Sequence, residues 1–515
     1  MLHTDLIAPI PDLLRRHAAA RGSKVAYRDA HASVTYAELL ERTGKLAGHF
    51  ADLGIGPGDT VAMLLANSVQ WVETCLGVAR AGAISVPISY DATETEIAYR
   101  LADANCRAIV TTGERGDLVA RLQVGLPNLT ISIVTDRGST RASALRYTNL
   151  LSTLPKSLPR DSSSMHEPAF ILYTSGTTGR AKGVLLTVHG MLWIVAACWA
   201  PITGLSERDT VLSPLPLFHS YALNLSVLGI LATGASEFIM EKFSTSEAMR
   251  LLKTGEFTYF PGVPTMFHYL LQGARDESNI RLPNLRVCVS AGAIMPATLN
   301  REFEKHFGIP LLDGYGITET STMVTMNWST GVRAFGSCGF PVPGLAVRVV
   351  DPADGHDVAL GQEGELIVRG PNVMPGYHNK PEETEKVLRN GWYHTGDLAK
   401  SDENGFLTIT GRLKELIIRG GQNIAPAEIE EVVNTFEAVL DCAVVGAPHE
   451  HLGEVPVLFV VPRPGRTIES EALLAHCRTY LSAYKVPQSV RLIAEIPRTG
   501  SGKIIRYKLR EQPSA

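Results

Sequence analysis

No dense block of lysine and arginine occurs anywhere in this 515-residue chain, and the formal net charge is −4. Without a concentrated positive patch there is no electrostatic footprint for nucleic acid or for an anionic membrane surface. Cysteine is scarce as well. Cys75, Cys106, Cys198, Cys288, Cys338, Cys442 and Cys477 are dispersed, odd in number and form no C-x-x-C pair. That excludes a disulfide framework and predicts reduced, buried thiols in a cytoplasmic protein. Long apolar runs are missing too. The longest, residues 191–201, is too short to span a bilayer and reads as buried helix. The first nine residues carry Asp5 and no apolar core, so no secretory signal is expected. Metal-ligand spacing is absent: His449-Glu450-His451 is not H-E-x-x-H, and no cysteines accompany it.

What is present is an ordinary globular composition, 45% hydrophobic and 19% charged, over a length too great for one core. Residues 59–67, 84–89 and 107–112 read as strands, with helices at 68–82 and 93–106 between them. This alternation implies β-α-β units and parallel sheet. Residues 155–167 are polar and rich in Ser and Pro, as in a surface connection, and a second α/β stretch runs from 169 to about 307. After Gly336, short strands at 345–350, 365–369 and 406–410 with little helix predict a small β-rich subdomain. From 413 onward the expectation is strand, a Gly420-Gly421 turn, helix from Pro426, strands 439–445 and 455–462, helix 470–483 and strand 489–495. Pro426 suits a first helical turn. The expected fold class is α/β: a large N-terminal domain with doubly wound sheets and a small β-rich subdomain, plus a smaller α+β C-terminal domain.

Residues 169–184 read AFILYTSGTTGRAKGV. An apolar strand runs into Thr174, Ser175, Gly176, Thr177, Thr178 and Gly179, and Lys182 follows. Glycines let the backbone turn and approach a ligand. Free N–H groups and hydroxyls donate to phosphate oxygens, and Lys182 adds positive charge. The spacing is not G-x-x-x-x-G-K-[ST], which disfavours a Walker A loop. Alone, this segment leaves several nucleotide chemistries open.

YTSGTTGRAKG resembles the signature of adenylate-forming enzymes: acyl-CoA synthetases, aryl-CoA ligases, luciferases and peptide-synthetase adenylation domains. Ala181 departs from the Pro usual there. Further motifs resemble the family's in order along nearly the whole chain: Pro214-Leu-Pro-Leu-Phe-His219-Ser220, Ser290-Ala-Gly-Ala293, Asp313-Gly-Tyr-Gly-Ile-Thr-Glu319, Trp392-Tyr-His-Thr-Gly-Asp397, Gly411-Arg412-Leu-Lys414 and Pro497-Arg-Thr-Gly-Ser-Gly-Lys503. The resemblance implies an N-terminal domain over 1–411 with the ATP and acyl sites, a hinge at 412–414 and a mobile C-terminal lid over 415–515.

It also implies roles. ATP would be bound by the loop residues above with Gly292, Ala293, Asp313, Gly314, Tyr315, Gly316, Thr318, Asp397, Arg412 and Lys503. Tyr315 would pack on adenine and Asp397 hold the ribose. Lys503, His219, Thr318 and Glu319 are the implied catalytic set, Glu319 carrying Mg²⁺. His219, Tyr221, Val263, Met266, Gly292, Gly314 and Met323 would line the acyl pocket. Lys414 would be the pivot, after which the Gly420-Gly421 turn replaces Lys503 for the thiol step. The implied activity is an AMP-forming ligase that joins a carboxylic acid to CoA through acyl-AMP. The mainly apolar, neutral pocket residues favour a fatty or aromatic acid. A carrier-protein thiol or an amine remains an alternative acceptor.

Overall fold

The computed structural model describes residues 2–135, 144–174, 181–274, 280–420, 422–499 and 503–510. Two large sheets dominate the first 341 residues. In the seven-stranded sheet the order is Leu145–Arg146, Ile131–Thr135, Ala108–Thr112, Thr60–Leu64, Ile84–Pro87, Pro168–Thr174 and Lys182–Thr187. All neighbours are parallel except the last pair. The nine-stranded sheet has a parallel centre made by Tyr259–Gly262, Val287–Ser290 and Leu311–Tyr315 on one side of Thr210–Ser213, with Ser236–Ile239 and Val25–Arg28 on the other. These strands are buried on both faces, which is why they read as continuous apolar runs.

The helices between the strands end where local chemistry ends them. Ser68 accepts from Trp71 N at the start of Val69–Arg80. Thr93 and Glu96 form a capping box at the start of Glu94–Asp103. Both helices therefore start one residue later than the apolar pattern suggested. The buried apolar run is helical from Val188–Ile194 and widens into π-type turns over Val195–Trp199, with Trp199 wholly buried. Helices Tyr36–Asp52 and Val69–Arg80 pack into a core that contains Trp71, Trp199, Tyr27 and Phe170. Each such side chain contributes about 1.5–3 kcal/mol on burial.

The β-rich subdomain is an antiparallel sheet of Ala346–Val350, Gly364–Arg369, Trp392–Ser401, Leu388–Arg389 and Leu407–Arg412. Beyond it, residues 413–415 form a single tight turn rather than the expected strand, which starts at Ile417. Strands Ile417–Arg419, Gln422–Ile424, Val439–His449, Gly453–Pro462 and Ser489–Leu492 make the C-terminal sheet. Helices Pro426–Val433 and Ser470–Tyr480 accompany it, and it has apolar clusters of its own around Ile429, Leu458 and Leu473. All seven cysteines are buried and unpaired. No helix among the described residues is long and apolar enough to cross a membrane.

Candidate active site

In open α/β sheets the crevice for a ligand forms at the carboxyl ends of the parallel strands. Four of the sequence motifs leave the sheets there. Pro214 to Ser220 follow strand Thr210–Ser213, and Ala291 to Ala293 follow Val287–Ser290. Residues 316–319 follow Leu311–Tyr315, and the glycine-rich loop follows Pro168–Thr174. Thr174 and Lys182 are Cα partners across an antiparallel pair, so the two ends of that loop are adjacent. Ser175, Gly176, Thr177, Thr178 and Gly179 lie outside the described residues, as does Gly421.

A cleft of about 3080 Å³ opens over these strand ends and is bordered on its other side by the C-terminal sheet and helices. Thr174, His219, Gly292, Ala293, Asp313, Gly314, Tyr315, Gly316, Thr318, Asp397, Arg412, Lys414 and Lys503 all line it. Residues far apart in sequence thus meet on one surface. Gly420 is not on that surface. It is exposed, with φ +57°, and its N–H donates to Leu452 O at 2.7 Å. Lys503 is inside the cleft while Gly420 is outside it.

One end of the cleft is polar, with Asp397 buried at its base. Tyr315 Oη donates to Asp397 Oδ2 at 2.5 Å, and Arg412 Nε lies 2.6 Å from Asp397 Oδ1. Asp397 raises the Arg412 pKa above the ordinary arginine value. Deeper in, Asp313 Oδ1 and Ser290 Oγ are buried without a hydrogen-bond partner. Burial pushes the Asp313 carboxyl well above the usual range. Asp313 lines the cleft, Ser290 does not, and an unsatisfied buried polar atom at a cleft wall calls for a ligand that supplies a partner.

The other end is tight, with polar and apolar groups on its walls. A pocket of only about 10 Å³ is lined by His219, Tyr221, Gly292, Thr318, Met323 and Lys503. Tyr221 Oη donates to Val289 O at 3.1 Å, and its ring stacks on Trp199 with centroids 5.8 Å apart. Met266 borders the larger cleft. Val263 lines neither cavity: it is buried, with Cγ1 3.7 Å from where a Cβ on Gly292 would stand. Gly314 packs against Met323. His219 Nδ1 accepts from Tyr221 N at 3.3 Å, which leaves the imidazole proton on Nε2. Burial first, then the charge of Lys503, push the His219 pKa down to about 3, so the ring is neutral. Lys503 is itself lowered from the ordinary lysine value, by burial and then by Arg412.

The turn that carries Thr318 and Glu319 is strained and tightly held. Ser321 and Thr322 have φ of 52° and 106°, a region non-glycine residues occupy at a cost. Ser321 Oγ donates to Asn372 O at 2.7 Å and Thr322 Oγ1 to Ser220 O at 2.9 Å. Asn224 Nδ2, on a buried helix, donates to Ser321 O at 3.2 Å. Ser220 Oγ lies 3.2 Å from Thr318 Oγ1. Asn224 and Asn372 lie in none of the sequence motifs, and nothing local in the sequence marks them.

Glu319 and Lys182 sit together through a residue the motifs also missed. Tyr377 Oη donates to Glu319 Oε1 at 3.0 Å, and Lys182 Nζ lies 5.0 Å from the Tyr377 ring centroid. No group of three or more His, Cys, Asp or Glu able to cage a metal exists among the described residues. A single carboxylate such as Glu319 still suits Mg²⁺, which binds through one or two carboxylates plus substrate phosphates.

Comparison with known proteins agrees with this geometry. The profile described as AMP-binding enzyme matches residues 14–378, and AMP-binding enzyme C-terminal domain matches 428–503. A feruloyl-CoA synthase of Amycolatopsis sp is 34% identical over 502 residues, covering 96% of this chain and 97% of the relative. A long-chain-fatty-acid–CoA ligase of Bacillus subtilis (strain 168) is 34% identical over 544 residues, covering 98% and 95%. Among solved structures, an anthranilate CoA ligase in complex with anthranoyl-AMP superposes with a TM-score of 0.91 at 27% identity, covering 98% of this chain and 96% of that one. The chain belongs to the AMP-binding enzyme family and is an adenylate-forming enzyme of the acyl-CoA synthetase type.

Proposed function

We propose that this protein activates a fatty or aromatic carboxylic acid as its acyl-adenylate and then transfers the acyl group to the thiol of CoA. The observation that carries the reading is the meeting of Lys503 with His219 and Thr318 in one small pocket. A carboxylate is a poor electrophile, because its leaving group would be oxide. On this reading the Lys503 ammonium faces both the acid's carboxylate and the α-phosphate of ATP. The carboxylate oxygen attacks the α-phosphorus, the bond to the β-phosphate oxygen breaks, and pyrophosphate leaves. Lys503 stabilises the charge on both oxygens, and Thr318 orients the phosphoryl group.

Neutral His219 adds a hydrogen-bond donor without a second positive charge beside Lys503. Asp397 and Arg412 hold the ribose end, and Asp313 offers a partner to the base. Glu319 would hold Mg²⁺, which neutralises phosphate charge when bound. The apolar pocket wall of Tyr221 and Met323 carries no charge for a second carboxylate, and a feruloyl-CoA synthase and a fatty-acid ligase are both relatives. In the second half-reaction the thiol sulfur attacks the acyl carbon, its proton passes to solvent, and AMP leaves. We place the pivot for that step at Lys414, within a hinge at 412–414 between domains 1–411 and 415–515. The turn containing Gly420 then takes the place of Lys503.

The test is a panel of aliphatic and aryl acids with ATP, Mg²⁺ and CoA. Exchange of pyrophosphate into ATP should depend on the acid, and an acyl-CoA should form only when CoA is added. Acid-dependent exchange with no acyl-CoA from any acid would overturn the choice of acceptor. Absence of exchange across the panel would overturn the acid class.

A further inference from the structure

Lys182 is already engaged by an acid. Its Nζ donates to Glu383 Oε2 at 2.5 Å. The other oxygen, Oε1, accepts from Lys386 Nζ at 2.7 Å. The Lys182 hydrogen bond, then that of Lys386, pulls the Glu383 carboxyl down to about 2, so it is ionised at any working pH.

The backbone enforces this encounter. Lys182 opens strand Lys182–Thr187, and Glu383 lies in the first turn of helix Pro381–Val387, where the helix dipole favours an acid. The segment leading into that helix is laced to the strand. Leu185 N donates to Gly376 O at 3.1 Å and His378 N to Gly183 O at 2.7 Å. Tyr377 N donates to Thr384 Oγ1 at 2.9 Å, which closes the segment onto the helix. The Tyr377 ring then lies under the Lys182 ammonium while its hydroxyl holds Glu319.

We infer that Glu383 is a counter-ion switch on the nucleotide site, competing with polyphosphate oxygens for Lys182 so that ATP binds less tightly and pyrophosphate leaves more readily. This rests on the reading of Lys182 as the phosphate lysine. The triphosphate brings several anionic oxygens and more than one negative charge, against a single carboxylate whose charge Lys386 already shares, so arriving ATP can take Lys182. Lys386 stays on Glu383 when Lys182 departs, so the carboxylate is not stranded. When pyrophosphate loosens, Glu383 recaptures the lysine.

The test is Glu383→Gln, alone and combined with Lys182→Met. The dissociation constant of ATP is measured by calorimetry, and that of pyrophosphate as a product inhibitor. The Glu383 side chain is 33% exposed, so glutamine is accommodated without repacking. With Lys182 present, Glu383→Gln should tighten ATP and pyrophosphate about two- to fivefold, the range expected for an exposed ion pair. In the Lys182→Met background the same change should have no effect. Weaker or unchanged ATP binding in Glu383→Gln, or an equal effect in both backgrounds, overturns the inference. If Lys182→Met alone leaves ATP binding intact, the reading of Lys182 fails and the inference falls with it.

Discussion

Replacing Gly316 by alanine should disable adenylation although it adds one methyl group. Gly316 does not have the positive φ that usually demands glycine; what it lacks is space. A Cβ there would stand 1.4 Å from Thr322 O and 2.6 Å from Met323 Cα. Ordinary contact needs roughly 3.5 Å, so the two backbones must separate by about 2 Å. The segment displaced is the strained turn of Ser321 and Thr322, and it carries Thr318 and Glu319. A misplacement of about 1 Å in a catalytic group costs on the order of 100-fold, or about 2.7 kcal/mol in the transition state. Overpacking should also destabilise the fold by about 1–3 kcal/mol. Gly396→Ala is the control. Gly396 has φ +70°, and a Cβ there meets nothing within 4 Å, so the cost is backbone strain alone, about 1 kcal/mol. Acid-dependent pyrophosphate exchange, with thermal melts of both variants, separates the two costs. If Gly316→Ala keeps exchange within about threefold of the parent, the turn does not place Thr318 and Glu319 as argued.

Lys503→Ala should lower adenylation by about 100-fold or more while ATP affinity changes little; a normal single-turnover rate of acyl-AMP formation would remove Lys503 from the chemistry. His219 has a folded pKa of about 3 against about 6.5 unfolded. Between those values the unfolded chain binds the extra proton, so stability falls as pH drops through that window. From pH 7.5 to 5.5 the loss is about 1.4 kcal/mol. His219→Gln should abolish that part of the pH dependence in denaturant titrations, and parallel losses in both proteins would refute a neutral imidazole at His219. Lys414→Pro restricts φ at the pivot. It should spare acyl-AMP formation and suppress acyl-CoA formation from added acyl-adenylate, whereas equal loss of both steps would count against a hinge there.

Much of the fold was legible locally. Strands such as Thr60–Leu64 are continuous apolar runs because both faces are buried, and Ser68 and Thr93 cap the helices beside it. The turn at 413–415 was misread as strand because apolar Leu413 and Leu416 flank two charged residues, which mimics a short strand edge. Four of the site motifs follow the end of a strand, and three of those four carry glycine, which makes them legible as local sequence. Tyr377, Glu383, Asn224 and Asn372 were not legible. Each acts across a sequence separation that leaves no spacing to read: 58 residues from Tyr377 to Glu319, 201 from Glu383 to Lys182.

By itself, then, the sequence determined the class of fold and the order of the motifs. Those depend on hydrophobic period, glycine and charge, all of which are local. Tertiary structure alone decided that Lys503 stands in the cleft with His219 while Gly420 stands outside it, that His219 is neutral, and that Lys182 is shared with Glu383. Burial and charge proximity set those outcomes, and both arise only when separate strand ends and a separate C-terminal sheet are brought onto one surface.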